Sequence, residues 1–351
     1  MRSALDRNDI DVLLVSQRLD CRYLSGFSGS YGYLLISQRD ALLVTDFRYR
    51  AQAGAEAPDF ELVEAKGHAA DWLPGVVRER GWRRLGLDAA DLPYEAYDRL
   101  SRATTEGRMR VELVPTTGMV SGLRMVKDRE ELRLIEDAAR LVSQVFEEVR
   151  GRIVPGLTER EAAWEVEKAL REGGSEPLPF DVIMASGANS ALPHAKPTEK
   201  IIAPGEPVVI DVGARLEGYC SDFSRTLCAG EPDSRFLETH QTVLQAQLAA
   251  IEGITAGMTG ADADGIARQV IQGAGHGGAF GHGLGHGVGL DVHEGPRLAP
   301  GSTDLLGDGM VFTIEPGIYV AGVGGCRIED VGVLEDGRVR LLTSGDRDLR
   351  P

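Results

Sequence analysis

Basic residues are scarce in this sequence relative to acidic ones: 38 Lys+Arg against 54 Asp+Glu leave its 351 residues with a formal charge of −16. That balance argues against nucleic acid or an anionic membrane as the main partner, because both attract basic surfaces. Cysteine is sparse as well. Cys21, Cys220, Cys228 and Cys326 show no CxxC spacing and no disulfide framework, so reduced thiols in a cytoplasmic protein are expected. No apolar run approaches the roughly 18 residues of a membrane span. Acids at Asp6, Asp9 and Asp11 stand where a signal peptide would need its apolar stretch.

What remains is an ordinary globular composition, 42% hydrophobic and 26% charged. At about 150 residues per domain the length suggests two domains. A chain this long buries about three-quarters of its unfolded surface and needs no disulfide or metal merely to fold. The acidity is uneven. Basic and acidic residues nearly cancel through residue 125, 17 against 18, and then diverge to 21 against 36. The reading is therefore a near-neutral domain over 1–125 and a strongly acidic one over 126–351.

In the first part, Asp11–Ser16, Tyr33–Ile36 and Ala41–Val44 read as strands, with a hairpin turn at Ser37-Gln38-Arg39-Asp40. Helical spacing returns over 68–80 and 93–103, which makes a small α/β domain. Gly26–Gly32 resembles a phosphate loop only loosely; it lacks the Gly-Lys-Ser/Thr ending and reads as a turn. The second part opens on a capping box, Asp128-Arg129-Glu130-Glu131. A long amphipathic helix follows, carrying Leu132, Ile135, Ala139, Val142, Phe146 and Val149. Thr158-Glu159-Arg160-Glu161 caps a second helix that should end at Gly173-Gly174. Two more helices fit 234–252 and about 262–272. Strand-like runs occupy Phe180–Ala185, Val208–Gly213, Tyr219–Leu227, Met310–Ile314 and Arg327–Leu334, so this domain is α+β. A faint internal repeat lays Gly205–Gly213 on Gly309–Gly317, with Asp211 and Glu315 at equivalent points.

The acids of these strands carry the chemistry. Residues that face one another across a hairpin keep a constant sum of numbers. Facing Asp211 with Asp222 centres a turn between Leu216 and Glu217, beside Gly218. Facing Glu315 with Glu329 centres one on Gly322, and Arg327 then shares a face with Glu329. Two carboxylates about 4 Å apart repel by roughly 4 kcal/mol at an effective dielectric of 20. Four converging acids call for cations, and two divalent ions supply the charge. Histidine adds the borderline ligand: His276, His282, His286 and His293 crowd a glycine-rich run, where glycines would let the backbone approach an ion or substrate. His68, His240 and His276 read as structural or surface residues. His194 stands in Leu192-Pro193-His194-Ala195-Lys196-Pro197. A dinucleotide loop, an H-E-x-x-H zinc helix and a Gly-x-Ser-x-Gly elbow are each absent or out of context.

The run His282–Pro296 closely resembles the signature of the M24 "pita-bread" metallopeptidases, in their proline-specific branch of prolidases and aminopeptidases P. The resemblance extends through Ser186–Asn189, Pro193-His194, the Asp211/Asp222 hairpin, Glu315-Pro316-Gly317 and Arg327–Asp330. In the first domain, Gly26–Ser30 and Thr45–Tyr49 are similar to a creatinase-type N-terminal domain. The fold it implies is a pita-bread catalytic domain behind a smaller creatinase-like α/β domain. It also implies two divalent ions (Mn, Zn or Co) on Asp211, Asp222, His286, Glu315 and Glu329. The catalytic set would be His194, His282, His293, Glu315 and Arg327, with Arg327 standing just outside the ligands. The two ions would share and acidify a water that attacks the Xaa-Pro carbonyl, with Glu315 moving the proton.

The expected protein is thus a cytoplasmic, homodimeric exopeptidase for short proline-containing peptides, with no nucleic-acid or membrane partner. Dipeptidase and aminopeptidase P both satisfy the motif set. A proline-specific enzyme acting at the C-terminal end, and a silent pita-bread binding protein, are the alternatives.

Overall fold

A computed structural model of the chain describes residues 1–105, 111–228 and 230–349. The backbone divides into two compact units, Met1–Arg124 and Met125–Pro351.

The first unit is built on strands β1 (Val12–Val15), β2 (Tyr33–Ser37), β3 (Ala41–Thr45), β4 (Glu61–Glu64), β5 (Arg84–Asp88) and β6 (Glu112–Thr116). They lie in the order β4-β3-β2-β1-β5-β6, with β1–β2 and β2–β3 antiparallel and the outer pairs parallel. Every residue of β1 is buried, as befits a central strand covered on both faces. One face packs Leu73 and Val77 of α4 (Ala69–Arg80) and Leu100 of α5 (Tyr94–Thr105). The other packs Leu5 of α1 (Arg2–Arg7), Cys21 of α2 (Arg18–Ser25) and Ala53 of α3 (Arg50–Glu56). A short α6 (Ser121–Arg124) closes the unit. Periodicity reveals α4 and α5 but not α1–α3, which are too short for a helical stripe to stand out. Gly26 ends α2 in a left-handed cap and the loop after it folds over Phe27, a turn as read.

The second unit pairs helices with sheets twice over. The capping boxes form as expected: Asp128 and Glu131 start α7 (Arg129–Val149), and Thr158 and Glu161 start α8 (Glu159–Glu172). Both helices pack on a sheet of β7 (Ile183–Ser186), β8 (Pro207–Val212) and, past the small β9 (Arg215–Leu216) and β10 (Tyr219–Cys220), β11 (Phe223–Cys228). The order is β11-β8-β7. Phe146 of α7 is central, its ring 5.1 Å from that of Phe223; truncation to Ala would cost about 3–5 kcal/mol.

The second half repeats the plan with α9 (Ser234–Gly253) and α10 (Gly260–Gly273). Its larger sheet contains β12 (Gly285–Gly287), β13 (Glu294–Leu298) and β14 (Val311–Ile314). A hairpin of β15 (Gly317–Val320) and β16 (Gly324–Arg327) follows, then β17 (Asp330–Glu335) and β18 (Arg338–Leu341). The order is β13-β12-β14-β17-β18, and β8 and β14, the two strands matched by the internal repeat, are each flanked on both sides. A bridge between Ser224 and Glu329 joins the two halves. Two runs that read as continuous strands are interrupted, one at Ser221-Asp222 and the other at Ile328-Glu329. Both interruptions fall on candidate site acids. All four cysteines are free and buried, and among the described residues no helix is long and apolar enough to cross a membrane.

Candidate metal centre and substrate cavity

All nine residues singled out in the sequence line a single cavity of about 740 Å³ in the second unit: His194, Asp211, Asp222, His282, His286, His293, Glu315, Arg327 and Glu329. The two hairpins bring the acids there, but only one in the register expected. Across β15–β16, Gly317 faces Arg327 and Val320 faces Gly324 around a left-handed Gly322, as read; β14–β17 continues the same count with Ile314 opposite Asp330. The first hairpin turns one residue later than the sequence suggests. Glu217 and Gly218 both have positive φ, 47° and 83°, so they form the two-residue loop, and Leu216 faces Tyr219. Asp211 therefore faces Ser224, not Asp222. Asp222 precedes Ser224 by two residues, so it stays on the same face, diagonal to Asp211 rather than opposite it.

Two glycines of the run are also required by packing. A Cβ on Gly285 would lie 2.0 Å from Thr313 O, and one on Gly287 would lie 1.9 Å from Gly295 O. The close approach they permit is to neighbouring strands of the sheet. It lets β12 sit tightly between β13 and β14, and a register irregularity between His286 and Gly287 turns the His286 ring into the cavity.

At the floor, ligand atoms of Asp222, His286 and Glu329 lie within 4.8 Å of one another. His286 Nδ1 donates to Gly287 O at 3.1 Å, which leaves Nε2 as the lone pair facing Glu315 Oε1 at 3.5 Å and Asp222 Oδ2 at 3.7 Å. Thr313 ties this group together: its hydroxyl accepts from His286 N and donates to Glu315 Oε1. Ser224 donates to Glu329 Oε2 at 2.7 Å and accepts from Arg327 Nε. Arg327, 3% exposed, also donates to Asp211 Oδ2 at 2.5 Å and to Tyr319 Oη at 2.9 Å. Tyr319 Oη lies 3.0 Å from His282 Nε2, while His282 Nδ1 donates to Gly283 O. His293 stacks edge-on to His286, 4.3 Å between centroids, and His194 lies exposed on the cavity wall.

The electrostatics are those of a crowded anionic cage. Burial and then the mutual repulsion of the carboxylates push Asp222 and Glu329 well above the usual carboxyl range; burial raises Glu315 too. Burial lowers His286, His282 and His293, keeping the imidazoles neutral and able to ligate or donate. Arg327 stays cationic in spite of its burial because Tyr319, Asp211, Glu315 and Glu329 surround it. Asp211 Oδ1 is buried and has no hydrogen-bond donor among the described residues. An orphaned carboxylate oxygen beside the buried Asp222 and Glu329, the half-buried Glu315 and a lone-pair imidazole is a donor set that fits divalent cations.

Several residues lining or flanking the cavity escape sequence reasoning. Lys196 and Arg297 place exposed cations on the wall, and neither forms an ion pair among the described residues. Glu294 is pinned by Lys127 at 2.6 Å, both nearly fully buried. Tyr319 has a detectable signal, since the register that pairs Gly317 with Arg327 puts it on the Arg327 face. Lys196 and Arg297 have none, because nothing local distinguishes a cation at a cavity mouth from one in open solvent.

Fold and cavity together define a protein that gathers carboxylates and imidazoles between two α/β halves to hold cations. Residues 133–336 match the model of metallopeptidase family M24, and residues 1–126 match that of the creatinase/prolidase N-terminal domain. A curated Xaa-Pro dipeptidase of Pyrococcus horikoshii is 35% identical over 98% of this chain and 96% of its own length. Among solved structures, an Xaa-Pro dipeptidase from Bacillus anthracis superposes with a TM-score of 0.95 at 40% identity, covering 99% of this chain and 97% of the other. An X-Pro aminopeptidase from Thermotoga maritima superposes at 0.90 and 37% identity with the same coverage. The chain belongs to metallopeptidase family M24, with a creatinase-type N-terminal domain followed in the sequence by the pita-bread catalytic domain. It is a hydrolase.

Proposed function

We propose that this protein hydrolyses Xaa-Pro bonds in short peptides, as a dipeptidase. The observation that supports this most directly is the union of nine candidates in one cavity with the Asp211 Oδ1 atom unsatisfied. Asp211, Asp222, His286, Glu315 and Glu329 would hold two divalent ions. Bound there, such ions polarise a carbonyl and make water acidic enough to react near neutral pH. The chain's own groups do the rest. Glu315, raised by burial, is suited to take a proton on its carboxylate and return it to the leaving proline nitrogen. That nitrogen carries no N–H, so a site that recognises the carbonyl side of the bond is favoured. His293 and His194 on the wall can donate to the oxygen that gains charge. Arg327 fixes Asp211 and, through Tyr319, the ring of His282.

The dipeptide reading rests on Lys196 and Arg297. Two cations that form no ion pair among the described residues, beside an acidic floor, suit a substrate whose free carboxylate lies near the scissile bond. The second reading, release of the first residue from longer Xaa-Pro peptides, is supported by the likeness to the Thermotoga aminopeptidase structure. A homodimer belongs to the same proposal and is tested by sedimentation.

The deciding experiment is product analysis by mass spectrometry after loading with Mn, Zn or Co. The panel is Ala-Pro, Ala-Pro-Ala, a longer Xaa-Pro peptide, a peptide ending in Pro-Xaa, and Met-Ala-Ser. Cleavage of Ala-Pro alone supports the dipeptidase; stepwise release from the longer peptides moves the assignment to aminopeptidase. Cutting near the C-terminus would replace both. Metal uptake without cleavage of any peptide would overturn the enzymatic reading in favour of a binding protein.

A further inference from the structure

Between the short 3-10 turn Gly187–Ala191 and Ile201 the chain forms no helix or ladder, yet Pro193, His194, Ala195 and Lys196 of this stretch line the cavity. A segment without regular hydrogen bonding needs other contacts to hold one path. One side chain dominates here. Glu159 occupies the first position of α8 and is 0% exposed. Its Oε1 accepts from Ser186 N at 2.7 Å, Ser186 Oγ at 3.0 Å and Asn189 Nδ2 at 3.1 Å. Its Oε2 accepts from Thr198 Oγ1 at 2.6 Å and Thr198 N at 3.1 Å, and shares the Asn189 amide at 3.2 Å. The carboxylate thus grips the chain just before the loop and just after it. Main-chain bonds repeat the attachment, from Glu159 N to Lys200 O and from Arg160 N to Thr198 O.

No ion pair to Glu159 forms among the described residues, so a buried negative charge is carried by neutral donors and the N-terminus of a fourteen-residue helix. Burial alone would raise this carboxyl, but the Thr198, Ser186 and Asn189 donors outweigh it and hold it below its ordinary value. A charge kept in the core this way is expensive if its donors are lost. It specifies one loop conformation. At the loop's middle, Pro193 O accepts from Arg327 Nη1 at 3.2 Å, and Ser190 Oγ accepts from Gly325 N at 2.8 Å, so the positioned loop docks directly on the strand that carries Arg327.

We propose that Glu159 is a positioning residue of the active site: its buried carboxylate sets the path of the 190–197 loop and so places His194 and Lys196 against the substrate. It touches neither substrate nor metal. The effect on turnover rests on the peptidase reading above; the effect on the loop does not.

The test uses the full chain with Glu159→Gln, Glu159→Asp and His194→Ala, and the Glu159→Gln/His194→Ala double variant. Glu159→Gln should lower kcat/KM for Ala-Pro about tenfold or more, since displacements near 1 Å can cost up to a hundredfold. Metal content should match the wild type, and Glu159→Asp, which keeps the charge, should recover part of the loss. In the His194→Ala background the same substitution should cost clearly less than in the wild type, the remainder being the part that runs through Lys196. Independently of catalysis, hydrogen exchange on metal-free protein should accelerate over 187–199 in Glu159→Gln while β8 keeps its protection. If the Gln variant does not fold, Thr198→Val removes one donor at the exposed edge and carries the same comparison. Wild-type exchange in the loop, or equal losses in both His194 backgrounds, would overturn the proposal. A wild type inactive on every peptide would instead overturn the peptidase reading, and the exchange data would still decide the role of Glu159.

Discussion

Replacing Asp222 by Asn tests the electrostatic account of the cage through a reversal of rank order. Ligand atoms of Asp222 and Glu329 lie within 4.8 Å of one another in a buried site. At that separation and an effective dielectric of 20, two ionised carboxylates repel by about 3.5 kcal/mol. The carboxyl of Asp222 is accordingly raised, first by burial and then by Glu329, Asp211 and Glu315. A group whose folded pKa exceeds its unfolded value contributes its stability below the unfolded value and loses it as pH rises through the folded one. The metal-free wild type should therefore weaken toward alkaline pH, and the neutral Asn variant should melt at the same temperature or higher. Metal inverts the comparison. A cation at a hundred times its Kd stabilises by about 2.7 kcal/mol, and for a unit of this size each kcal/mol is worth about 2–4 °C, so the wild type should gain about 5–11 °C. Asp222→Asn, lacking a ligand, should gain little. Calorimetry at pH 8 with chelator and then with MnCl2 measures both halves. The reasoning is refuted if metal-free Asp222→Asn melts several degrees below the wild type yet gains the full metal shift.

Gly285→Ala should abolish metal uptake, measured by elemental analysis, because its Cβ would meet Thr313 O at 2.0 Å and push β12, with His286, off β14; overpacking of this kind costs about 1–3 kcal/mol or more. Asp330→Asn should cost about 3–5 kcal/mol in denaturant unfolding: fully buried Asp330 accepts from Arg225 at 2.9 Å, Arg347 at 2.7 Å, Thr343 and Gln247, and its loss leaves Arg225 buried without its anion. His240 is buried with Nε2 unpartnered among the described residues, and burial lowers its pKa. The unfolded chain therefore takes up a proton below about pH 6.5 that the folded one refuses, and stability falls on acidification by up to about 1.4 kcal/mol per pH unit. His240→Leu should remove that slope, so its urea midpoint relative to wild type should rise from pH 7.5 to pH 5; a pH-independent difference would refute the assignment.

The sequence by itself determined the elements whose signals are local. Asp128/Glu131 and Thr158/Glu161 start α7 and α8 because a capping box satisfies its own backbone donors within four residues. The hairpin around Gly322 was legible for the same reason, since a glycine marks the turn and the pairing count follows. So were the candidate acids and histidines, whose density in the second unit already calls for cations. The first hairpin misled because its loop needs positive φ at Glu217, which no residue type announces; the ladder slid, and Ser224 took the place opposite Asp211. The glycines near His286 were visible, but only packing shows that they admit neighbouring strands. Tertiary structure alone decided which strands break at Asp222 and Glu329, which cations reach the cavity wall, and that a buried Glu159 holds the loop of His194. These arise where segments far apart in the chain meet, and an orphaned carboxylate oxygen or a five-donor cage exists only once they have met.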